Sequence, residues 1–328
     1  MENYKKYLKS LKKYGRFINY NSNKRVHRSA VDFLLWKLKL YNSADETIDF
    51  PIDFSFPKVE KKFNSNDPWV MWVGHCTFLV KINNHKILTD PIWTDRCSPF
   101  KSIGPQRRHQ PAIDLDQLSN IDFVVISHNH YDHLDKKTVM HLNKKFPKIK
   151  WIVPMGLKKW FKKRGMTNVF DLDWWQSYED DSFQIHAVPA QHYTGRSLLD
   201  GNKVLWVGYV IESKKDQKKL YFTGDTGYNE IDFKNIGSKF KSMDLCLIPI
   251  GTYMPRKFMN PVHIDPKDAV NIHQDVNSKL SVAMHFKTFN LSDENMKQPP
   301  YELYLNLKKQ NVSLDNFRVL EIGDHLNW

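Results

Sequence analysis

From residue 69 onward the chain is a series of short apolar runs separated by polar, turn-forming residues. Compact runs rich in Val, Ile, Leu and aromatic residues predict strands, and apolar positions recurring every three or four residues predict helices. Strands are expected over 69–73, 77–82, 86–89 and 123–127, followed by helices over 134–146 and 155–164, the second closed by Gly165. Strands return over 183–189, 203–211, 219–223, 244–250 and 280–284, with a helix over 266–275 opened by Asp265-Pro266. Strands first, then strands interleaved with helices, describe an α/β protein whose sheets are sandwiched by helices.

The first 45 residues read differently. Residues 1–39 hold eleven lysines and arginines against the acids Glu2 and Asp32, and Tyr4, Tyr7, Leu8, Leu11 and Tyr14 recur at helical spacing with lysines between them. A second apolar stretch runs from Ala30 to Leu40. Residues 1–45 are therefore expected to form basic amphipathic helices, which either lie on an anionic membrane or pack on the body. Residues 46–328 are expected to form the catalytic domain. On the membrane reading, deleting residues 1–40 weakens vesicle binding and spares turnover of a soluble diester.

Composition narrows the classes. Hydrophobic residues make up 41% and charged residues 26%, the balance of a folded globular protein. Lys plus Arg number 49 against 36 Asp plus Glu, and the net charge of +13 attracts anionic lipid or nucleic acid without choosing between them. Three widely spaced cysteines form no C-x-x-C pair and fit a reducing compartment. No run approaches the roughly 18 apolar residues of a spanning helix, and the N-terminus lacks the apolar core of a signal peptide. A cytoplasmic protein, peripheral on the membrane, is expected.

The chemistry is concentrated in Ser127-His-Asn-His-Tyr-Asp-His133, directly after an apolar strand. His128 and His130 stand two apart, so extended backbone turns them the same way, and Asp132 and His133 follow from the turn into the next helix. Neutral imidazoles beside a carboxylate are the ligand set of Zn²⁺, with Mn²⁺ and Fe²⁺ as alternatives. A strand end supplies the rigid base from which such a loop can aim several side chains at one point.

H-x-H-x-D-H resembles the signature of the metallo-β-lactamase fold superfamily, an αβ/βα four-layer sandwich of two mixed sheets flanked by helices. Pro189-Ala-Gln-His192, Phe222-Thr-Gly-Asp-Thr-Gly227 and Ala283-Met-His285 resemble its later motifs, in order. The resemblance implies one metal on His128, His130 and His192, a second on Asp132, His133 and His285, and Asp225 joining them. It also implies ligand-orienting roles for Asp90, in Leu88-Thr-Asp-Pro91, and for His75, in Gly74-His-Cys-Thr77.

At finer grain the chain resembles the N-acylphosphatidylethanolamine-hydrolysing phospholipase D family. The likeness spans roughly residues 70–300 and includes non-catalytic stretches such as Leu172-Asp-Trp-Trp175, Lys203-Val-Leu-Trp206, Ile248-Pro-Ile-Gly-Thr-Tyr253, Val262-His-Ile-Asp-Pro266 and His285-Phe-Lys-Thr-Phe289. It implies a zinc-dependent hydrolase that cuts the phosphodiester on the ethanolamine side, releasing an N-acylethanolamine and phosphatidic acid. Two Zn²⁺ would supply a hydroxide at neutral pH and neutralise the developing phosphate charge. Asp132, Asp225 and His263 would carry catalysis, with His263 protonating the leaving group. The expected partners are a phospholipid substrate, an anionic membrane surface and a second copy of the chain in a homodimer, with no nucleic acid. The same signature serves lactonases and phosphoesterases of soluble phosphorylated metabolites, which is the alternative reading.

Overall fold

The computed structural model describes residues 7–21, 35–36, 38, 49–58, 63–197 and 199–328. Two seven-stranded mixed sheets face each other, and helices cover both outer faces, as expected of the four-layer sandwich. In chain order β1 (Leu11–Lys13) and β2 (Arg16–Ile18) form a separate hairpin. The first sheet holds β3 (Trp69–Gly74), β4 (Thr77–Ile82), β5 (His85–Thr89), β6 (Phe123–Val125), β7 (Lys150–Pro154) and β8 (Val169–Leu172). The second holds β9 (Ser177–Glu179), β10 (Phe183–Pro189), β11 (Val207–Ser213), β12 (Lys219–Phe222), β13 (Leu245–Pro249), β14 (Ser281–Met284) and β15 (Phe317–Arg318). The last strand, β16 (His325–Asn327), returns to pair with β3.

Each sheet joins an antiparallel half to a parallel half: β3–β5 and β9–β12 are antiparallel, whereas β5–β8 and β12–β15 run parallel. The parallel strands are buried on both faces, which is why they read as nearly continuous apolar runs. Along β3 the pleat sends Val70 and Trp72 into the core between the sheets, and Met71 and Val73 into the layer under the helices.

Two helices show why local signals placed them. In α1 (Lys136–Lys145) the Asp135 side chain caps the first turn, Val139 and Leu142 are buried, and Lys144 and Lys145 sit at the C-terminal end of the dipole. In a later helix, Pro266–Asp275, the Asp265 carboxylate accepts from the Asp268 N–H at 2.8 Å, and Pro266 occupies the first turn. The helix expected over 155–164 shortens to Lys158–Lys162. Helices over Glu230–Phe240 and Gln298–Lys309 lie where the sequence offered no expectation.

The N-terminal expectation needs correction. Residues 7–21 contain no helix; β1 and β2 turn at Tyr14 and Gly15, both at positive φ, as a tight two-residue hairpin requires. Phe17 is buried in the main core, the Phe17 N–H donates to Asn202 O at 2.8 Å, and Tyr7 meets Trp175 edge-on. In the second stretch, Trp36 stacks on Phe258 and donates its Nε1–H to Asp293. Leu35 and Trp36 are helical, as expected of this stretch, and Leu38 is exposed; residues 1–6, 22–34, 37 and 39–45 lie outside the described residues. What was read as an amphipathic helix is a strap whose lysines face solvent while its aromatic ring fills the sandwich. Phe17→Ala is accordingly expected to cost about 3–5 kcal/mol in urea unfolding. A loss below about 1 kcal/mol would show the strap to be only loosely attached.

Candidate metal centre

The loops after β5, β6, β10, β12 and β14 meet at one end of the sandwich, and each brings a residue of the expected constellation. Asp90 follows β5, His128 to His133 follow β6, His192 follows β10, Asp225 follows β12 and His285 follows β14. His75 comes from the tight turn between β3 and β4. Rigid strands set the bases of these loops, so residues as far apart in sequence as His75 and His285 arrive with ring centroids 4.2 Å apart.

Among the described residues the donors fall into five clusters, and two of these match the expected ligand sets. His128, His130 and His192 form the first. His128 Nε2 stands 2.8 Å from His130 Nδ1, which stands 3.3 Å from His192 Nε2. Asp132, His133, Asp225 and His285 form the second. There His133 Nε2 and His285 Nε2 each lie 3.1 Å from Asp225 Oδ2, and 3.2 and 3.5 Å from Asp132 Oδ2. The same Asp225 oxygen is 4.0 Å from His128 Nε2 and 3.9 Å from His192 Nε2, so one carboxylate stands between the groups.

Surrounding hydrogen bonds decide which nitrogen faces inward. Ser127 Oγ donates to Asp90 Oδ2 at 2.5 Å and so accepts from His128 Nδ1 at 2.9 Å. Asp90 Oδ2 also accepts a hydrogen bond from His133 Nδ1 at 2.6 Å. The Val262 carbonyl accepts one from His192 Nδ1 at 2.9 Å. His128, His133 and His192 therefore all keep Nε2 free for the centre, the arrangement by which outer partners orient metal-binding imidazoles. Residue 262 acts here through its backbone carbonyl, so the contact does not depend on the valine side chain. Thr252 Oγ1 steadies His285 Nδ1 at 3.1 Å, and His75 Nε2 meets Asp132 Oδ2 at 3.0 Å.

Electrostatics match this geometry. Burial pushes the pKa of His128 well down, that of His130 to about 3 and that of His192 to about 4, which leaves neutral lone pairs. Burial also opposes charge on His133, but Asp225 and Asp132 outweigh it and push its pKa well up; a proton and a metal ion compete for the same Nε2. Burial works against the charged forms of Asp132 and Asp225, yet His133 and other imidazoles hold both pKa values well below the usual range. Asp225 Oδ1, His133 Nε2 and His285 Nε2 are buried without an aligned hydrogen bond. Tetrahedral Zn–N bonds of about 2.0–2.1 Å place ligand nitrogens roughly 3.3 Å apart, close to the spacings found. The residues fit metal ions.

His263 lies at the edge, Nδ1 3.9 Å from Asp225 Oδ2, with 11% of its side chain exposed. Burial pushes its pKa well down. Sequence reasoning missed three supporting residues. Arg196 donates to the carbonyls of Asn129 and Leu134 at 2.9 and 2.8 Å, and lies over the Tyr131 ring at 3.7 Å, so it braces the ligand loop. Thr252 sits in one of the matched stretches that carried no assigned role. Asn19 gave no local signal at all.

The family model described as "Beta-lactamase superfamily domain" matches residues 85–286. The "N-acyl-phosphatidylethanolamine-hydrolyzing phospholipase D 1" of Caenorhabditis elegans is 37% identical over 264 residues, covering 77% of this chain and 74% of that protein. This chain belongs to the N-acylphosphatidylethanolamine-hydrolysing phospholipase D family. The mitochondrial enzyme of that name from Saccharomyces cerevisiae is 34% identical over 251 residues, covering 75% of this chain and 53% of the yeast protein. A metallo hydrolase of Ignicoccus hospitalis shares the fold, with a TM-score of 0.60 at 20% identity over 80% of this chain and 98% of its own. The chain is thus a metal-dependent hydrolase of metallo-β-lactamase fold. Among the described residues no helix is long and apolar enough to cross a membrane.

Proposed function

We propose that the protein is a zinc-dependent phospholipase D that hydrolyses N-acylphosphatidylethanolamine to an N-acylethanolamine and phosphatidic acid. The observation that carries this reading is the pair of donor groups sharing Asp225, in a chain 37% identical to a worm protein of that name. Two Zn²⁺ held by His128, His130 and His192 and by Asp132, His133 and His285 would polarise the phosphoryl oxygens and make a water nucleophilic at neutral pH.

The chain's own groups supply the rest. Asp132 and Asp225 keep negative charge at the centre because neighbouring imidazoles hold them ionised. His263 is neutral in its buried setting and holds a proton only briefly, so it relays the proton shed by the attacking water to the ethanolamine oxygen. The water oxygen bonds to phosphorus as the phosphorus–oxygen bond on the ethanolamine side breaks. Phosphate stays with the diacylglycerol.

An anionic lipid surface suits the face beside Tyr131. A cavity of about 600 Å³ there is lined by Arg96, Lys101, Lys136, Lys137, Arg164 and Arg196 against the acids Asp95 and Asp135. Phe100 and Ile103, on the same surface loop, are 63% and 68% exposed. Cations beside exposed apolar side chains are what a headgroup layer and the acyl boundary beneath it attract.

The test is metal analysis of the purified protein followed by assay on vesicles of N-acylphosphatidylethanolamine with anionic lipid. Two zinc ions per chain and both products are expected, with His130→Ala at least about a hundredfold slower. Turnover confined to a soluble diester or a lactone would overturn the lipid assignment and favour the soluble-metabolite alternative. A fully active His130→Ala would overturn the metal mechanism.

A further inference from the structure

Both backbone polar groups of His192 are held by a single side chain 173 residues earlier. Asn19 Nδ2 donates to His192 O at 2.8 Å, and the His192 N–H donates to Asn19 Oδ1 at 3.2 Å. Trp206 Nε1 shares its one proton between Ala190 O at 2.9 Å and the same Oδ1 at 3.1 Å. The His192 N–H on Oδ1 and the His192 carbonyl beside Nδ2 suit one orientation of the amide, with its NH₂ toward the carbonyl. An amide offers donor and acceptor side by side, so it pairs with His192 as a neighbouring strand would, at a point where β10 has already ended.

We propose that Asn19 is a positioning residue of the metal centre, which makes the N-terminal strap a working part of the hydrolase and not a detachable arm. The inference rests on the metal-centre reading of His192. His192 is fully buried, its Nδ1 is committed to Val262 O, and its Nε2 faces His130. The ring direction is therefore fixed only as well as the backbone beneath it. That backbone is gripped from the strap, which is itself anchored by Phe17 in the core and by Arg16 on Gly201 O. Without the amide, a buried N–H and a buried C=O lose their partners, and the loop must shift to satisfy them. The shift displaces one of three imidazoles from the first donor group. On this proposal, removing residues 1–40 also lowers turnover of a soluble diester.

The test uses the full chain loaded with zinc and titrated with a chelator. Asn19→Ala is expected to give up one of its two zinc ions about 10–100-fold more readily than the parent. Asn21→Ala is the matched control: Asn21 lies on the same strap and donates to Asp232 at 2.7 Å, reaching Gln191 only through Asp232 and Asn229 and, among the described residues, making no hydrogen bond to His192 itself. It is expected to hold both ions normally even if its melting temperature falls. Asn19→Asp keeps the accepting oxygen, loses the donor to His192 O, and should fall between. If Asn19→Ala does not fold, Asn19→Asp against Asn21→Ala decides the matter. Parental zinc retention in Asn19→Ala, or equal loss in Asn21→Ala, would overturn the proposal and leave the centre standing. A parent that takes up no metal would overturn the centre itself, and the proposal with it.

Discussion

Asp225→Asn is expected to slow hydrolysis by on the order of 10³-fold and to release metal from the centre, the largest single effect in the molecule. Asp225 Oδ2 lies within 3.1 Å of His133 Nε2 and His285 Nε2, and about 4 Å from the inward nitrogens of His128 and His192. An amide occupies the same volume but carries no charge and turns either an NH₂ or a weaker acceptor to those atoms. His133, whose pKa is pushed up by Asp225 and Asp132 against the cost of burial, would lose one of the two anions that favour positive charge there. The check is metal content by elemental analysis beside the rate on vesicles. Less than a tenfold loss, with both ions retained, would remove Asp225 from the shared position.

Asp90→Ala should come next, through stability as much as through rate. Burial raises the pKa of this fully enclosed carboxyl, and hydrogen bonds from His133 and Ser127 pull it back. It accepts from the Ser127 N–H at 2.7 Å, from Ser127 Oγ at 2.5 Å and from His133 Nδ1 at 2.6 Å. Alanine leaves all three donors unpaired and frees both the ring direction of His133 and the hydroxyl that orients His128. A loss of about 3–5 kcal/mol in unfolding free energy is expected, because one partner of a buried ionic cluster is removed. Metal affinity should fall about 10–100-fold. Asp90→Asn separates the two effects: it restores much of the volume and one acceptor, so it should recover stability more fully than metal affinity. Equal recovery of both would show Asp90 to be a packing residue only.

The strength of local signals varied with how the fold uses them. Strands such as 77–82 and 183–189 were readable to the residue, because both faces are buried and polar turns bound them. The helix Pro266–Asp275 was equally readable, because a cap and a first-turn proline mark its start. Glu230–Phe240 and Gln298–Lys309 were not: a glycine and lysines interrupt the apolar period of the first despite its Asn229 cap, and the second has first-turn prolines but no capping side chain. Their helicity comes from packing Phe233, Ile236, Leu303 and Leu307 onto the sheet. The strap at 7–21 shows the opposite failure: spacing that suits an amphipathic helix gave way to a hairpin once Phe17 had a core to enter.

The centre divides in the same way. His128, His130, Asp132 and His133 lie within one short loop, so proximity in sequence is proximity in space, and residue types alone pointed to metal. His192, Asp225 and His285 were named through resemblance, because a lone histidine or aspartate after a strand carries no chemistry of its own. That these residues surround one carboxylate oxygen is a property of how two sheets stack and where their strands end. The roles of Asn19, Arg196 and Thr252 belong wholly to the tertiary structure. Each acts by hydrogen bonding to a group far away in the chain, and such contacts leave no periodicity or spacing to read. Sequence determined which side chains are chemically able to hold a metal; only the folded sandwich decided which of them meet, which nitrogen each presents, and what keeps it there.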